Sequence, residues 1–254
     1  MINKRGEGDL SSNHKRRCSM STVGKIHSFQ SLGAVDGPGI RFVIFMQGCP
    51  YSCPYCHNPD TRPFSGGTEY TVAEIVEKAK RYKTYFGEKG GVTVSGGEPL
   101  MQAEFVAELF EELHKNSITT AVDTAGVKVT DAVRRVLKST DTVLCDIKFP
   151  TDEQYKQHIG IGLDTVLEFI EECNKTNADV VIRHVVVPGM TDSKKNIKQV
   201  AELAKNAKNL SKIELLPFKK LCEQKYKELE LVFPLADTPE CDADTIAKLY
   251  SLIK

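Results

Sequence analysis

The chain has 254 residues, and its 34 Lys and Arg balance 34 Asp and Glu, so no overall charge draws it to nucleic acid or to an anionic membrane surface. No apolar run approaches the roughly 20 residues of a membrane span, and 41% hydrophobic with 27% charged residues is an ordinary globular balance. That excludes a membrane protein and a charge-driven nucleic-acid binder, and leaves a cytoplasmic enzyme with length for one α/β barrel or two small domains.

Residues 1–20 are polar, carry Lys15-Arg16-Arg17 and lack an apolar stripe, so they read as a disordered extension before a single domain over 21–254, with Met20 as an alternative start. Glu7 and Asp9 argue against a transit peptide. Hydrophobic patterning then alternates. Ile40 to Gln47, Val92 to Ser95, Ile118 to Val122, Thr142 to Ile147, Asp179 to Val187 and Lys212 to Leu216 are short and β-branched or almost wholly apolar, as strands buried on both faces should be. Between them, Thr71 has capping-box spacing to Glu74, and Val72, Ile75, Val76 and Ala79 then share one helix face. Further amphipathic stretches run over Ala103 to Lys115, Thr130 to Lys138, Leu163 to Thr176, Ser193 to Ala207 and Asp242 to Leu252. Six strands with intervening helices predict a parallel α/β fold, a partial (β/α)6 TIM-type barrel two units short of eight.

The loop after the first of these strands holds Cys49, Cys53 and Cys56, spaced C-x3-C-x2-C with no fourth cysteine nearby. Three thiolates on a four-iron cubane leave one iron open to a small molecule, which makes a catalyst of what would otherwise be an electron carrier. Zinc would want a fourth ligand, and His57 directly adjoins Cys56, a poor geometry for one tetrahedral ion. A disulfide framework suits a secreted mini-domain rather than a chain with length for its own core. Cys18, Cys145, Cys173, Cys222 and Cys241 lack a C-x2-C partner, so one cluster is expected.

Working groups of such folds gather at the carboxyl ends of the strands. Ser95-Gly96-Gly97-Glu98-Pro99 follows the second strand, where the glycines let backbone approach a ligand and Glu98 can accept hydrogen bonds from an ammonium group. Asp123-Thr124 follows the third strand and Asp146-Ile147-Lys148 the fourth. Asp146 and Lys148, two apart, point the same way, either into the barrel mouth or into a salt bridge between strand ends. Asp123 and Asp146 make an acidic pocket that, with the Thr124 hydroxyl, can hold a monovalent cation.

Taken together, Ile26-His27-Ser28-Phe29, the run Val35 to Phe42 (VDGPGIRF), Gln47-Gly48-Cys49 and the cysteine loop resemble the glycyl-radical-enzyme activating enzymes of the radical S-adenosylmethionine (SAM) superfamily. The likeness continues through Gly91 to Pro99, Asp123-Thr124, Asp146 to Lys148, Ile182-Arg183, Val185 to Gly189 and Ile213 to Pro217. The resemblance implies the radical SAM fold, and a [4Fe-4S] cluster on Cys49, Cys53 and Cys56. It also implies that Tyr55 and His57 border the adenine, that Gly96, Gly97 and Glu98 meet the methionine amine, and that Asp123, Asp146 and Lys148 hold the rest of SAM. Asp36 and Arg183 would face the substrate loop, with a salt bridge inside the barrel the competing reading for Arg183.

The implied reaction is reductive cleavage of SAM to methionine and a 5′-deoxyadenosyl radical, which takes a hydrogen from the Cα of a partner's glycine under anaerobic conditions. Reduced flavodoxin or ferredoxin would supply the electron to a monomeric enzyme. The stretch from Asn58 to Gly90 contains no cysteine, whereas several related activases insert a cysteine-rich segment there. This favours pyruvate formate-lyase, in anaerobic glucose metabolism, as the partner. One departure stands out: the family His after Leu-Leu-Pro-aromatic is absent, and Lys219 follows Phe218. The alternatives are an activase of anaerobic ribonucleotide reductase, a small-molecule radical SAM enzyme, which would lack the DGPGIR run, and a non-catalytic iron–sulfur carrier, which would fill all four iron sites.

Overall fold

The computed structural model describes residues 22–253, so the expectation for residues 1–20 lies outside the described part. Strands β1 (Val23–Gly33) and β2 (Arg41–Met46) pair antiparallel, and β3 (Thr68–Thr71) pairs antiparallel with the other edge of β1. From β2 onward the neighbours are parallel: β4 (Gly91–Gly96), β5 (Thr119–Thr124), β6 (Thr142–Asp146), β7 (Asp179–Val186) and β8 (Leu210–Pro217). The sheet order β3-β1-β2-β4-β5-β6-β7-β8 is linear and never closes from β8 back to β2. Its parallel part comprises the six expected strands, and the antiparallel edge of β1 and β3 is an addition to the expected partial barrel.

Burial explains which strands could be foreseen. Phe42, Val43, Ile44 and Met46 of β2, and Val92 and Val94 of β4, are 3% exposed or less, so their sequence is continuously apolar. β1 is half exposed, with Lys25, Gln30 and Ser31 facing solvent and two register irregularities against β2, and its composition reads as loop.

The helices cover the sheet: α1 (Val72–Lys80), α2 (Lys83–Phe86), α3 (Ala103–Lys115), α4 (Asp131–Lys138), α5 (Asp152–His158), α6 (Leu163–Cys173), α7 (Lys194–Ala204), α8 (Glu223–Glu228) and α9 (Ala243–Tyr250). Both bonds of the Thr71–Glu74 capping box are formed, and α1 buries Val72, Ile75, Val76 and Ala79 as its periodicity predicts. Thr130, Thr151, Ser193 and Asp242 likewise accept a hydrogen bond from the backbone N–H three residues on, satisfying a donor the helix itself leaves orphaned. Among the described residues no helix is long and apolar enough to cross a membrane.

Arg41 closes the barrel floor. It is 1% exposed and opens β2, in register with Gly91 of β4, which in turn pairs with Thr119 of β5. Its guanidinium donates to Thr93 Oγ1 (2.9 Å), Thr119 Oγ1 (3.0 Å) and the carbonyls of Lys89 (3.3 Å) and Val92, satisfying a buried cation without a carboxylate contact. Burial pulls its pKa down to about 10 against the opposing pull of Asp141 and Asp36. Thr93 Oγ1 then donates to Asp36 O (2.7 Å), tying the half-buried start of the DGPG run to β4 while Pro38 and Gly39 stay exposed.

Candidate active site

The cysteine loop leaves β2 at the carboxyl end of the sheet and is tied down on several sides. Gly48 N donates to Thr61 O (2.7 Å), Cys49 N to Arg62 O (3.0 Å), Ser52 N to Ile159 O (3.2 Å), and the Tyr51 hydroxyl to Gly126 O. Cys49, Cys53 and Cys56 are free thiols of intermediate exposure on the wall of one cavity of about 250 Å³. Burial pushes Cys49 up to about 12 and Cys53 up to about 11, and raises Cys56, so thiolates there require a positive centre beside them. Among the described residues no three His, Cys, Asp or Glu side chains converge as ligands of a single ion. Three separated thiols on one wall suit a multi-iron cluster, with one sulfur per iron, better than zinc.

Gly96 and Gly97 also line the cavity, and their lack of side chains has a second, structural use. A Cβ on Gly96 would lie 2.4 Å from Met46 N, and one on Gly97 would lie 2.3 Å from Gly48 O. Their lack of side chains lets the turn after β4 close against the cysteine loop, where Gly97 N donates to Met46 O and Glu98 N to Gly48 O, each at 2.9 Å. Glu98 is 2% exposed and already engaged: Oε1 accepts from Thr124 Oγ1 (2.7 Å) and Leu100 N (3.1 Å), Oε2 from Ala125 N (3.0 Å). Burial outweighs these donors and raises its pKa to about 7. The carboxylate that reads from sequence as an ammonium acceptor thus also bolts the β4 and β5 ends together, with capacity for one more donor.

Asp123, Thr124, Asp146 and Lys148 share the same cavity. Asp146 and Lys148 point the same way and form the salt bridge with each other. Burial disfavours the ammonium, yet Asp146, Cys53 and Tyr55 together hold the Lys148 pKa well above its usual value. Tyr55 is buried beside Lys148, its hydroxyl donating to Lys148 O (3.2 Å), and its ring lies 6.0 Å from the Lys148 ammonium. His57 is exposed at the rim, with Nε2 2.8 Å from Lys219 O.

Arg183 lies in register between Asp146 of β6 and Glu214 of β8, and the barrel salt bridge is present. Its guanidinium sits 3.3 Å from Asp123 and 3.4 Å from Glu214, and Nη2 donates to Val35 O (3.3 Å). Burial works against the charge, but Asp123, Asp146, Glu214 and Asp36 raise its pKa. Asp36 is half-buried and lies off the cavity wall, its pKa raised by burial first and by Asp123 next. Among the described residues, Asp36 Oδ2 and Arg183 Nε are two of three buried side-chain polar atoms without a hydrogen bond, the third being His184 Nε2. Arg183 Nε still faces Glu214 Oε2 at 3.4 Å as an ion pair, so Asp36 Oδ2 is the one of the two with no polar side chain paired to it.

Lys219 does not take the place of the absent histidine. Its ammonium pairs with exposed Glu240 at 3.0 Å, outside the cavity wall, and only its carbonyl reaches the cysteine loop. Tyr51, Tyr155 and His184 are buried contributors that the sequence reading lacks. Tyr155 and His184 stand in segments that no local spacing marks, and Tyr51, inside the cysteine loop, is marked by its neighbours rather than by itself.

The family model of the Radical SAM superfamily matches residues 43–204. Over 233 residues the chain is 44% identical to the pyruvate formate-lyase-activating enzyme of Clostridium pasteurianum, covering 91% of this chain and 98% of that one. It is 37% identical over 238 residues to the pyruvate formate-lyase 1-activating enzyme of Escherichia coli K12, covering 92% and 97%. The crystal structure of a domain of pyruvate-formate lyase-activating enzyme from Bacteroides vulgatus superposes with a TM-score of 0.53 at 22% identity, over 65% of this chain and 92% of that one, a likeness of fold.

Proposed function

This chain belongs to the radical SAM superfamily, among its pyruvate formate-lyase-activating enzymes, and from that premise we propose how its residues divide the work. It is an activating oxidoreductase that takes a hydrogen from a glycine of pyruvate formate-lyase, and its family implies a [4Fe-4S] cluster and SAM as cofactors. Bound together, they supply an electron and a carbon radical able to break an unactivated C–H bond.

The protein's own part is to hold, orient and exclude water. Cys49, Cys53 and Cys56 would hold the cluster, leaving one iron for SAM. Gly96, Gly97 and Glu98 would border the methionine amine, Glu98 chiefly by fixing the turn. Tyr55 and His57 would border the adenine, and Asp123, Asp146 and Lys148 the remainder. A monovalent cation at Asp123, Thr124 and Asp146 belongs to the same proposal, and would compete with Lys148 and Arg183 for the two carboxylates. Asp36 and Arg183 would grip the backbone of the glycine loop.

The observation that carries this reading is that three unpaired thiols share one cavity with the Gly96–Glu98 turn and the Asp146–Lys148 pair. The test is anaerobic reconstitution with iron and sulfide followed by reductant and SAM. Methionine should be released, and Cys53→Ala should lose cubane absorbance and release together. Release by a Cys53→Ala protein without cluster would refute the ligand set. We further propose a single domain over 21–254 that works as a cytoplasmic monomer and takes its electron from reduced flavodoxin or ferredoxin.

A further inference from the structure

Lys148 lies beyond the last ladder residue of β6, so sheet pairing alone does not set its position. All four backbone polar groups of Ile147 and Lys148 are nevertheless taken. Ile147 N donates to Arg183 O (2.9 Å), and Ile147 O accepts from His184 Nδ1 (2.7 Å). Lys148 N donates to the Tyr155 hydroxyl (2.8 Å), and Lys148 O accepts from the Tyr55 hydroxyl (3.2 Å). Three of these partners are side chains, from α5, β7 and the cysteine loop, and none is more than 4% exposed.

The partners also brace one another. Phe149, fully buried, lies 6.2 Å from the Tyr55 ring and 6.4 Å from the Tyr155 ring, centroid to centroid. The C-cap of α5, Ile159, accepts from Ser52 N of the cysteine loop, so the helix that carries Tyr155 touches the loop that carries Tyr55. His184 has its pKa lowered by burial, which keeps the ring neutral, and the carbonyl at 2.7 Å fixes its proton on Nδ1.

We propose that Tyr155 and His184 are positioning residues: they fix the Ile147–Lys148 backbone, set where the Lys148 ammonium meets SAM, and through Tyr55 join that point to the cluster loop. A binding group must be held to about 0.5 Å by neighbours that are themselves locked, and a lysine on a free strand end would lack that support. The proposal rests on the assignment of Lys148 to SAM.

The test is a double-mutant cycle on the reconstituted protein, with SAM dissociation constants measured anaerobically without reductant, alongside iron content and thermal unfolding. Tyr155→Phe and His184→Leu should each weaken SAM about fivefold, the scale of one hydrogen bond, with iron content as in the parent, and His184→Asn should recover much of the loss by donating again to the carbonyl. In a Lys148→Met background, neither change should weaken SAM further. Losses that add fully to that of Lys148→Met would overturn the positioning role, as would unchanged affinity in His184→Leu and Tyr155→Phe. Native affinity in Lys148→Met alone would instead remove the assignment beneath the proposal, and the proposal with it.

Discussion

Glu98 carries three donors on two oxygens while buried, and its amide analogue cannot do the same. Glu98→Gln puts an N–H against either Ala125 N or the donors on Oε1. The protein without cofactors should therefore lose about 1–3 kcal/mol in urea unfolding near neutral pH, and an unchanged midpoint would show that these bonds contribute nothing. The deficit should also depend on pH. With the folded pKa near 7 and the unfolded one near 4.5, the contribution of Glu98 is fully present below about 4.5 and lost as pH rises through about 7, so the gap to Glu98→Gln should narrow from pH 5 to pH 8. Asp36 offers a cleaner probe of substrate contact than Arg183, because Arg183 also neutralises Asp123 and Glu214. Asp36→Asn should cut glycyl-radical formation far more than the slow SAM cleavage seen without partner; parallel losses would place Asp36 with SAM or the barrel. The residues legible in sequence were those with a local signature: three spaced cysteines, a glycine pair after a strand, carboxylates at strand ends. Tyr155 and His184 had none, since their meaning lies in a carbonyl and an N–H that only folding brings near.

The element on which everything converges is the cysteine loop, held by the turn after β4, by α5 and by α8. From α8, Tyr226 donates to Cys56 O (3.3 Å) and Lys225 bonds Asn58 (3.0 Å) and Asp60 (2.9 Å). Gly97→Ala would drive a Cβ into Gly48 O, and since the Cβ is fixed to its Cα and Gly48 O is backbone, the loop must move. Cluster loss to a chelator should quicken markedly in Gly97→Ala while α/β content by circular dichroism stays as in the parent; equal rates would mean the turn does not support the loop. Parallel strands and long helices were legible because burial on both faces, or a 3.6-residue stripe, writes itself into sequence. β1 and β3 escaped because a half-exposed edge alternates weakly. α5 and α8, with 7 and 6 residues, are too short to show a period.

At the scale of the molecule, an open, mostly parallel sheet with Arg41 buried at its floor has at its strand ends a cavity of about 250 Å³, too small for a folded domain. Hydrogen transfer needs reacting atoms within about 3.5 Å, so the partner's glycine must arrive on an extruded segment. A short peptide spanning that glycine should then be a poor but real substrate, and complete inertness would mean that recognition lies wholly outside the cavity. The most direct test of the whole account combines the reconstituted protein with reductant, SAM and pyruvate formate-lyase under anaerobic conditions, and reads the lyase by electron paramagnetic resonance. A glycyl-radical signal that needs SAM and disappears with Cys53→Ala is the predicted result; SAM cleavage at full rate with no radical on the lyase would contradict it.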